Sequence, residues 1–240
     1  MSEPRLYLAS ASPRRRKLLA EAGIAFEPCV APVDEERLSA DYAGPLGLLG
    51  EHLARRKVQA AQQLLRESAR DEDFMVLAAD TTVLLEGTSL AKPASADEAA
   101  AMLRQLRGRE HLVATGVALA GPTPAALVSA TATTRVLMRP YTDDEISAYV
   151  ATGDPMDKAG AYSIQHPHFH PVAHIAGCHL GVIGLPLCIV ATFLRGEPLP
   201  PACDAPDAEP QVVCCPWSSG CQAPLPGPEV IHASERLPGE

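Results

Sequence analysis

The sequence predicts an α/β fold with a mixed sheet and flanking helices, and two observations carry that prediction. Short β-type runs alternate with segments whose apolar residues recur at helical spacing. Two long apolar runs joined by a Gly-Pro loop add an antiparallel hairpin, for which an all-parallel sheet has no place. The chain has 240 residues, 47% of them hydrophobic, enough to bury a sizeable core.

Residues 5–9 (Arg-Leu-Tyr-Leu-Ala) form the first expected strand. Ser12-Pro13 follows, a hydroxyl at the N-cap and a proline at the first helical position, and opens a helix through Leu18, Leu19 and Ala22 that Gly23 ends. Residues 26–30 are a second expected strand, and residues 46–65 place Leu49, Leu53, Ala60 and Leu64 at helical spacing. A buried strand is expected over residues 75–79, interrupted by Asp80. Residues 83–90 form a small hairpin turning at Glu86-Gly87, and Ser95-Ala96-Asp97-Glu98 is a capping box ahead of a helix over 99–106. The long hairpin pairs residues 112–119 with 126–137 around the loop 121–124. Thr142-Asp143-Asp144-Glu145 caps a last helix over 146–150, with Gly153 at its C-terminal end.

Composition shifts sharply after Arg195. Ten of the 23 prolines fall in the 43 residues from Pro198 onward, beside Asp, Glu, Gly and Ser. Such a segment buries too little apolar surface to offset its ordering entropy. The expected division is a functional domain over 3–196 and a Pro-rich, disordered tail over 197–240. Cys203, Cys214, Cys215 and Cys221 lie in that tail with irregular spacing, so free thiols are expected rather than a disulfide frame or zinc site.

A net charge of -9 and a pI near 5.4 argue against a partner that is a nucleic acid polymer, whose phosphate backbone demands a cationic surface. A single nucleotide needs only a local cluster of Lys and Arg. No apolar run reaches the roughly 18 residues of a membrane span, and Met-Ser-Glu-Pro-Arg-Leu-Tyr-Leu-Ala-Ser lacks the apolar core of a signal peptide. No membrane partner is expected, and the expected location is the cytoplasm.

The strongest local signal is Ser10-Ala11-Ser12-Pro13-Arg14-Arg15-Arg16-Lys17, where a strand ends and a helix begins. Unpaired N–H groups, two hydroxyls and a run of cations make an anion site there. Charge-run statistics alone fit a capped, solvated surface helix equally well. Asp80, within Leu77-Ala78-Ala79-Asp80-Thr81-Thr82, interrupts an apolar strand. A carboxylate there sits at the strand's end and binds metal, acts as a base, or merely forms a cap or turn. Asp34-Glu35 lies in an expected loop and offers oxygen ligands of the kind Mg²⁺ takes, one or two carboxylates plus substrate phosphates. Lys57 sits on a helical pattern, and Lys92 precedes Pro93 beyond the small hairpin, where a lysine reaches phosphate as a point charge.

Taken in order, these pieces resemble one family. Ser-x-Ser-Pro-Arg-Arg, Asp-Glu, Leu-Ala-x-x-Lys, Ala-Asp-Thr, Lys-Pro, Thr-Gly, Asp-Lys-Ala-Gly-Ala-Tyr-x-Ile-Gln and Gly-Leu-Pro-Leu are similar, over about residues 5–195, to the Maf (septum formation inhibitor) family. Gly108-Arg109-Glu110-His111 and Gly153-Asp154-Pro155-Met156-Asp157-Lys158 resemble the Maf domain of acetylserotonin methyltransferase-like proteins. The resemblance implies a fold shared with inosine triphosphate pyrophosphatases, two lobes around a cleft, a homodimer, and cleavage of a nucleoside triphosphate between its α and β phosphates with a divalent metal cation, Mg²⁺ or Mn²⁺. It implies that Ser10, Arg14, Arg15, Lys57 and Lys92 contact the triphosphate, that Glu35 and Asp80 hold the metal, and that Asp80 is the general base. Arg14, Thr81 and Gln165 resemble the branch acting on dTTP and UTP, where the branch acting on 7-methyl-GTP carries Trp, Gln and Glu.

One segment departs from the family pattern. A glycine-rich turn normally follows Gln165, and this chain has His166-Pro167-His168-Phe169-His170-Pro171 instead. His and Pro there are expected to restrict the loop or narrow the pocket, which motivates the alternative of a catalytically impaired member that binds nucleotide or protein. Three alternating histidines, with His174 and His179 nearby, also raise a zinc or copper site, although Pro167 and Pro171 oppose regular strand structure.

Overall fold

The computed structural model describes residues 4–68, 73–121, 123 and 126–197. The chain runs β1 (Arg5–Leu8), α1 (Pro13–Glu21), β2 (Glu27–Pro28), α2 (Glu35–Ala40), α3 (Leu49–Glu67), β3 (Phe74–Leu85), β4 (Thr88–Leu90) and α4 (Ala96–Leu106). It continues through β5 (Glu110–Ala120), β6 (Leu127–Met138), α5 (Asp143–Ala151), β7 (Val172–Ala176), α6 (His179–Ile183) and α7 (Leu187–Leu194). One seven-stranded mixed sheet has the order β2-β1-β3-β5-β6-β7, with β4 folded onto β3. β1 is parallel to β2 and β3, and every other pair is antiparallel. The expected mixed α/β architecture is the observed one.

Three long strands serve two lobes. Early in β3 and late in β5, Leu77, Ala79, Val117 and Leu119 face Leu18 and Leu19 of α1 and Leu187 and Val190 of α7. The alternate residues Val76, Ala78, Ala118 and Ala120 face Ala54, Val58, Ala61 and Leu65 of α3, as the two-residue period of a strand requires. At the other ends of the same strands, Val83, Leu85, Val113, Val136 and Met138 pack on Leu103, Leu106, Ile146 and Tyr149 of α4 and α5. A cleft opens where β3 and β5 pass from one lobe to the other.

Several expectations are corrected. Asp80 does not end a strand: β3 runs through it to Leu85 with Asp80 paired to Gly116. Ladder pairing needs only the backbone, so the carboxylate breaks the apolar pattern without breaking the strand. The second strand shrinks to Glu27–Pro28, because proline has no N–H to extend a ladder. Asp34-Glu35 is not loop but the start of α2, where Asp34 accepts the Arg37 N–H at 3.0 Å. In α3 the buried stripe is Leu53, Ala54, Val58, Ala61 and Leu65, while Leu64 turns outward and is 41% exposed. Ser95 caps α4, but Glu98 returns to Ala94 N rather than to Ser95 N, so the box does not close; Thr142 and Glu145 do close theirs. β7, α6 and α7 have no counterpart among the expected elements. The hairpin at Glu86-Gly87 is as expected, both residues having positive φ (49° and 77°) as a type I′ turn needs. The proline-rich tail from Pro198 onward, with Cys203, Cys214, Cys215 and Cys221, lies outside the described residues.

The helix that supports the cleft is seated by two glycines. A Cβ on Gly116 of β5 would stand 2.0 Å from the Glu51 nitrogen, and one on Gly50 would stand 2.7 Å from the Asp80 carbonyl oxygen. Backbone therefore meets backbone at the start of α3. Glu51 secures the contact by accepting hydrogen bonds from Ser129 (2.6 Å) and Thr131 (2.8 Å) of β6. Gly116→Ala is expected to lower the unfolding free energy by about 3 kcal/mol in denaturant titration, because backbone cannot rotate away as a side chain can; a loss below about 1 kcal/mol would show that α3 is not seated there.

The α4/α5 lobe contains a buried histidine. His111 is 3% exposed, lies 2.7 Å from the Tyr162 hydroxyl through Nε2, and has no partner for Nδ1 among the described residues. Burial pushes it down to about 4. Its folded value is depressed below the unfolded value of 6.5, so the unfolded chain binds the proton first and stability falls as pH drops through the window from 6.5 to about 4. Over that window wild type is expected to lose about 3 kcal/mol more than His111→Phe in denaturant titrations; equal pH slopes for the two proteins would contradict the assignment.

Candidate active site

The cleft has a volume of about 1010 Å³, and its walls include Ser10, Arg14, Arg15, Glu35, Lys57, Asp80, Thr81, Lys92 and Gln165. Every candidate site residue from the sequence therefore opens onto one space. They come from the β1–α1 turn, α1, α2, α3, β3 and the loops after β4 and before β7.

At the end of β1 the chain turns into α1. Ser10 is buried, and its Oγ accepts from Ser12 N and Arg15 Nη1, both at 3.2 Å. Ser12 is the N-cap of α1 and accepts from Arg15 N. Arg15 then crosses the cleft floor: Nε donates to the Gly184 carbonyl at 2.8 Å and Nη2 to Thr81 Oγ1 at 3.3 Å. Burial pulls this guanidinium below its ordinary value, and Asp80 opposes that shift. Three of its five N–H groups are committed to the protein, and two remain for a ligand. Arg14 reaches the other lobe, where Nη1 meets Asp157 Oδ2 at 3.0 Å.

Lys57 stands between two carboxylates. Its Nζ is 2.6 Å from Asp80 Oδ1 and 3.0 Å from Glu35 Oε1. The Lys57 and Asp80 side chains are only 12% and 15% exposed, whereas Glu35 is 47% exposed. Lys57 lies two turns along α3 from Gly50, so the glycine contact that seats the helix also aims this ammonium at mid-strand Asp80. Asp34 is spent as a cap, and Glu35 alone of the acidic pair points to this centre. Two hard oxygen donors converging at a cleft wall fit a divalent cation such as Mg²⁺, which completes its shell with water and substrate oxygens.

Lys92 lies on the opposite wall, exposed and without an ion pair among the described residues. Gln165 is also exposed, with its backbone N–H held by Ser163 Oγ at 3.2 Å and its amide unengaged among the described residues.

The sequence reading missed a second charged group on this wall. Lys158 is buried and its Nζ bonds the Asp154 carbonyl, Asp154 Oδ1 at 3.0 Å and Asp157 Oδ1 at 2.6 Å. Tyr149 donates to the other Asp154 oxygen at 2.6 Å. Burial would raise Asp157, but hydrogen bonds and charge from Lys158 and Arg14 outweigh it and leave the carboxyl below its usual range. The cluster thus orients Asp157 toward Arg14. The density of Asp and Lys over residues 154–158 was the available signal.

The departing segment lies elsewhere. Residues 166–171 are not among the residues that line the cleft, although Gln165 immediately before them is. His166 Nδ1 accepts the N–H groups of His168 (3.3 Å) and Phe169 (2.9 Å), closing a turn in place of glycine. Phe169 is buried and stacked on Tyr149 at 4.3 Å. His170, His174 and His179 border a separate depression of about 380 Å³, and among the described residues no group of three His, Cys, Asp or Glu is arranged to hold a metal ion. The described residues give the zinc or copper alternative no geometric support.

Known proteins share much of this sequence. The chain is 42% identical over 195 residues to a dTTP/UTP pyrophosphatase of Geobacter sulfurreducens, covering 81% of this chain and 97% of the relative. It is 44% identical over 208 residues to a dTTP/UTP pyrophosphatase of Thermomicrobium roseum, covering 82% and 91%. A solved HAM1 protein from Coxiella burnetii aligns with 68% of this chain and 88% of its own, at 15% identity and a TM-score of 0.39. Residues 5–197 match the family model described as Maf-like protein, and the chain belongs to the Maf family.

Proposed function

We propose that the protein is a nucleoside triphosphate pyrophosphatase that hydrolyses dTTP and UTP to the monophosphate and pyrophosphate with Mg²⁺ or Mn²⁺. One observation carries this reading: a single mid-strand carboxylate, Asp80, opens onto the same cleft as the α1 N-terminus, Arg14, Arg15, Lys57 and Lys92. Family membership and the pyrophosphatase relatives support it.

In this reading Ser10, Arg14, Arg15, Lys57 and Lys92 hold the triphosphate, whose transition state needs positioned cations around its equatorial oxygens. Asp80 orients a water toward the α phosphorus and takes its proton as the bond to the β-phosphate oxygen breaks. Glu35 and Asp80 would hold a divalent cation, which would supply further charge neutralisation. Gln165 offers both a donor and an acceptor to a pyrimidine edge, with Arg14 and Thr81 completing the base preference. No described helix is long and apolar enough to cross a membrane; a cytoplasmic homodimer is part of the same proposal and is supported by family membership.

Pyrophosphate release from dTTP, UTP and 7-methyl-GTP with Mg²⁺ or Mn²⁺ tests it. Wild type is expected to act on dTTP and UTP, and Asp80→Asn to lose about 10²–10⁴-fold in kcat. Undiminished turnover by Asp80→Asn, or a preference for 7-methyl-GTP, would contradict the mechanism or the substrate. No release from any nucleotide by folded protein would point to a catalytically impaired nucleotide binder.

A further inference from the structure

Thr115 is a buried hydroxyl that none of these roles uses. It lies on β5 directly opposite Thr81, at 0% exposure, one residue before Gly116. Its Oγ1 is 3.0 Å from Thr81 Oγ1 and 2.8 Å from the Gly181 carbonyl oxygen of α6. The direction of every proton in this chain of contacts is forced. A carbonyl cannot donate, so Thr115 gives its one proton to Gly181. A guanidinium cannot accept, so Arg15 Nη2 donates to Thr81. Between the two hydroxyls only one arrangement remains, in which Thr81 donates and Thr115 accepts.

We propose that Thr115 is a positioning residue of the nucleotide site: by taking the proton of Thr81 it keeps the Thr81 oxygen an acceptor for Arg15, and so fixes the guanidinium that faces the triphosphate. Arg15 is held at three points, Ser10, Gly184 and Thr81. The first two anchors lie on the α1 turn and the α6–α7 turn, and only the third ties Arg15 to the strand that carries Asp80. Without the Thr115 oxygen, the Thr81 proton has no acceptor across the strand pair and turns toward the Arg15 N–H or into the cleft. The Gly181 carbonyl also loses its donor. The triphosphate role of Arg15 belongs to the pyrophosphatase reading; the hydrogen-bond direction does not depend on it.

Thr115→Val keeps the shape and removes the hydroxyl, Thr115→Ser keeps the hydroxyl, and Thr115→Ala removes it again should the valine variant fold poorly. Two measurements on the full chain separate the possibilities: calorimetric binding of inorganic triphosphate in Mg²⁺ buffer, and kcat and KM for dTTP. Loss of one hydrogen bond that orients a charged donor is expected to weaken triphosphate binding about tenfold in Thr115→Val or Thr115→Ala, and to raise KM similarly with kcat within about twofold. Thr115→Ser is expected to stay close to wild type in both. A purely structural role would lower the active fraction, and so kcat, without moving KM or the triphosphate affinity. Wild-type affinity in the hydroxyl-free variants, no triphosphate binding by wild type, or a serine variant as weak as the valine variant would overturn the proposal. If no variant hydrolyses dTTP while triphosphate binding still follows the hydroxyl, the pyrophosphatase reading fails and the positioning role stands.

Discussion

The ion pair between Lys57 and Asp80 is the constraint on which the rest of the site depends. A carboxylate in the middle of a strand, following Leu77, Ala78 and Ala79 and only 15% exposed, loses most of its water and needs a charged partner. That partner must arrive from outside the sheet at 2.6 Å, which requires a helix lying unusually close to the strands. Gly50 and Gly116 permit the approach, and Glu51 locks its angle through Ser129 and Thr131. A fold requirement and a chemical one are thus met by the same few residues.

The cationic side of the cleft is built differently. Arg14 and Arg15 begin the α1 helix, yet each is tied to residues far away in sequence: Arg14 to Asp157 and Arg15 to Thr81 and Gly184. Arg14 joins the lobes at the surface, where a single pair contributes little to stability. Arg15 is immobilised at the floor, and holding a side chain in one rotamer before the ligand arrives lowers the entropy lost on binding. One arginine is therefore held by a single surface ion pair, and the other by three hydrogen bonds at the cleft floor.

Local chemistry was legible in the sequence and tertiary approach was not. The α1 turn could be read as a candidate anion site because its hydroxyls, proline and arginines are contiguous, and Asp80 as a candidate because a charge in an apolar run is conspicuous. The same contrast misled about the strand: a side-chain pattern broke at Asp80 while the backbone ladder continued to Leu85. The seat of α3 was invisible, since Gly50 and Gly116 are ordinary glycines until helix and strand meet. Thr115 looked like any strand threonine, because the direction of its hydrogen bonds depends on Gly181 and Arg15 together. The histidine segment drew attention by composition, yet its role is a turn closed by His166 and anchored by Phe169, away from the cleft.

A double-mutant cycle on Lys57→Met and Asp80→Asn, read as unfolding free energy in denaturant, tests the central interaction most directly. Because either partner alone would be left charged and largely buried, the two substitutions are predicted to couple by about 2 kcal/mol or more. Additive losses, within about 0.5 kcal/mol of their sum, would mean that Asp80 is stabilised by something other than Lys57.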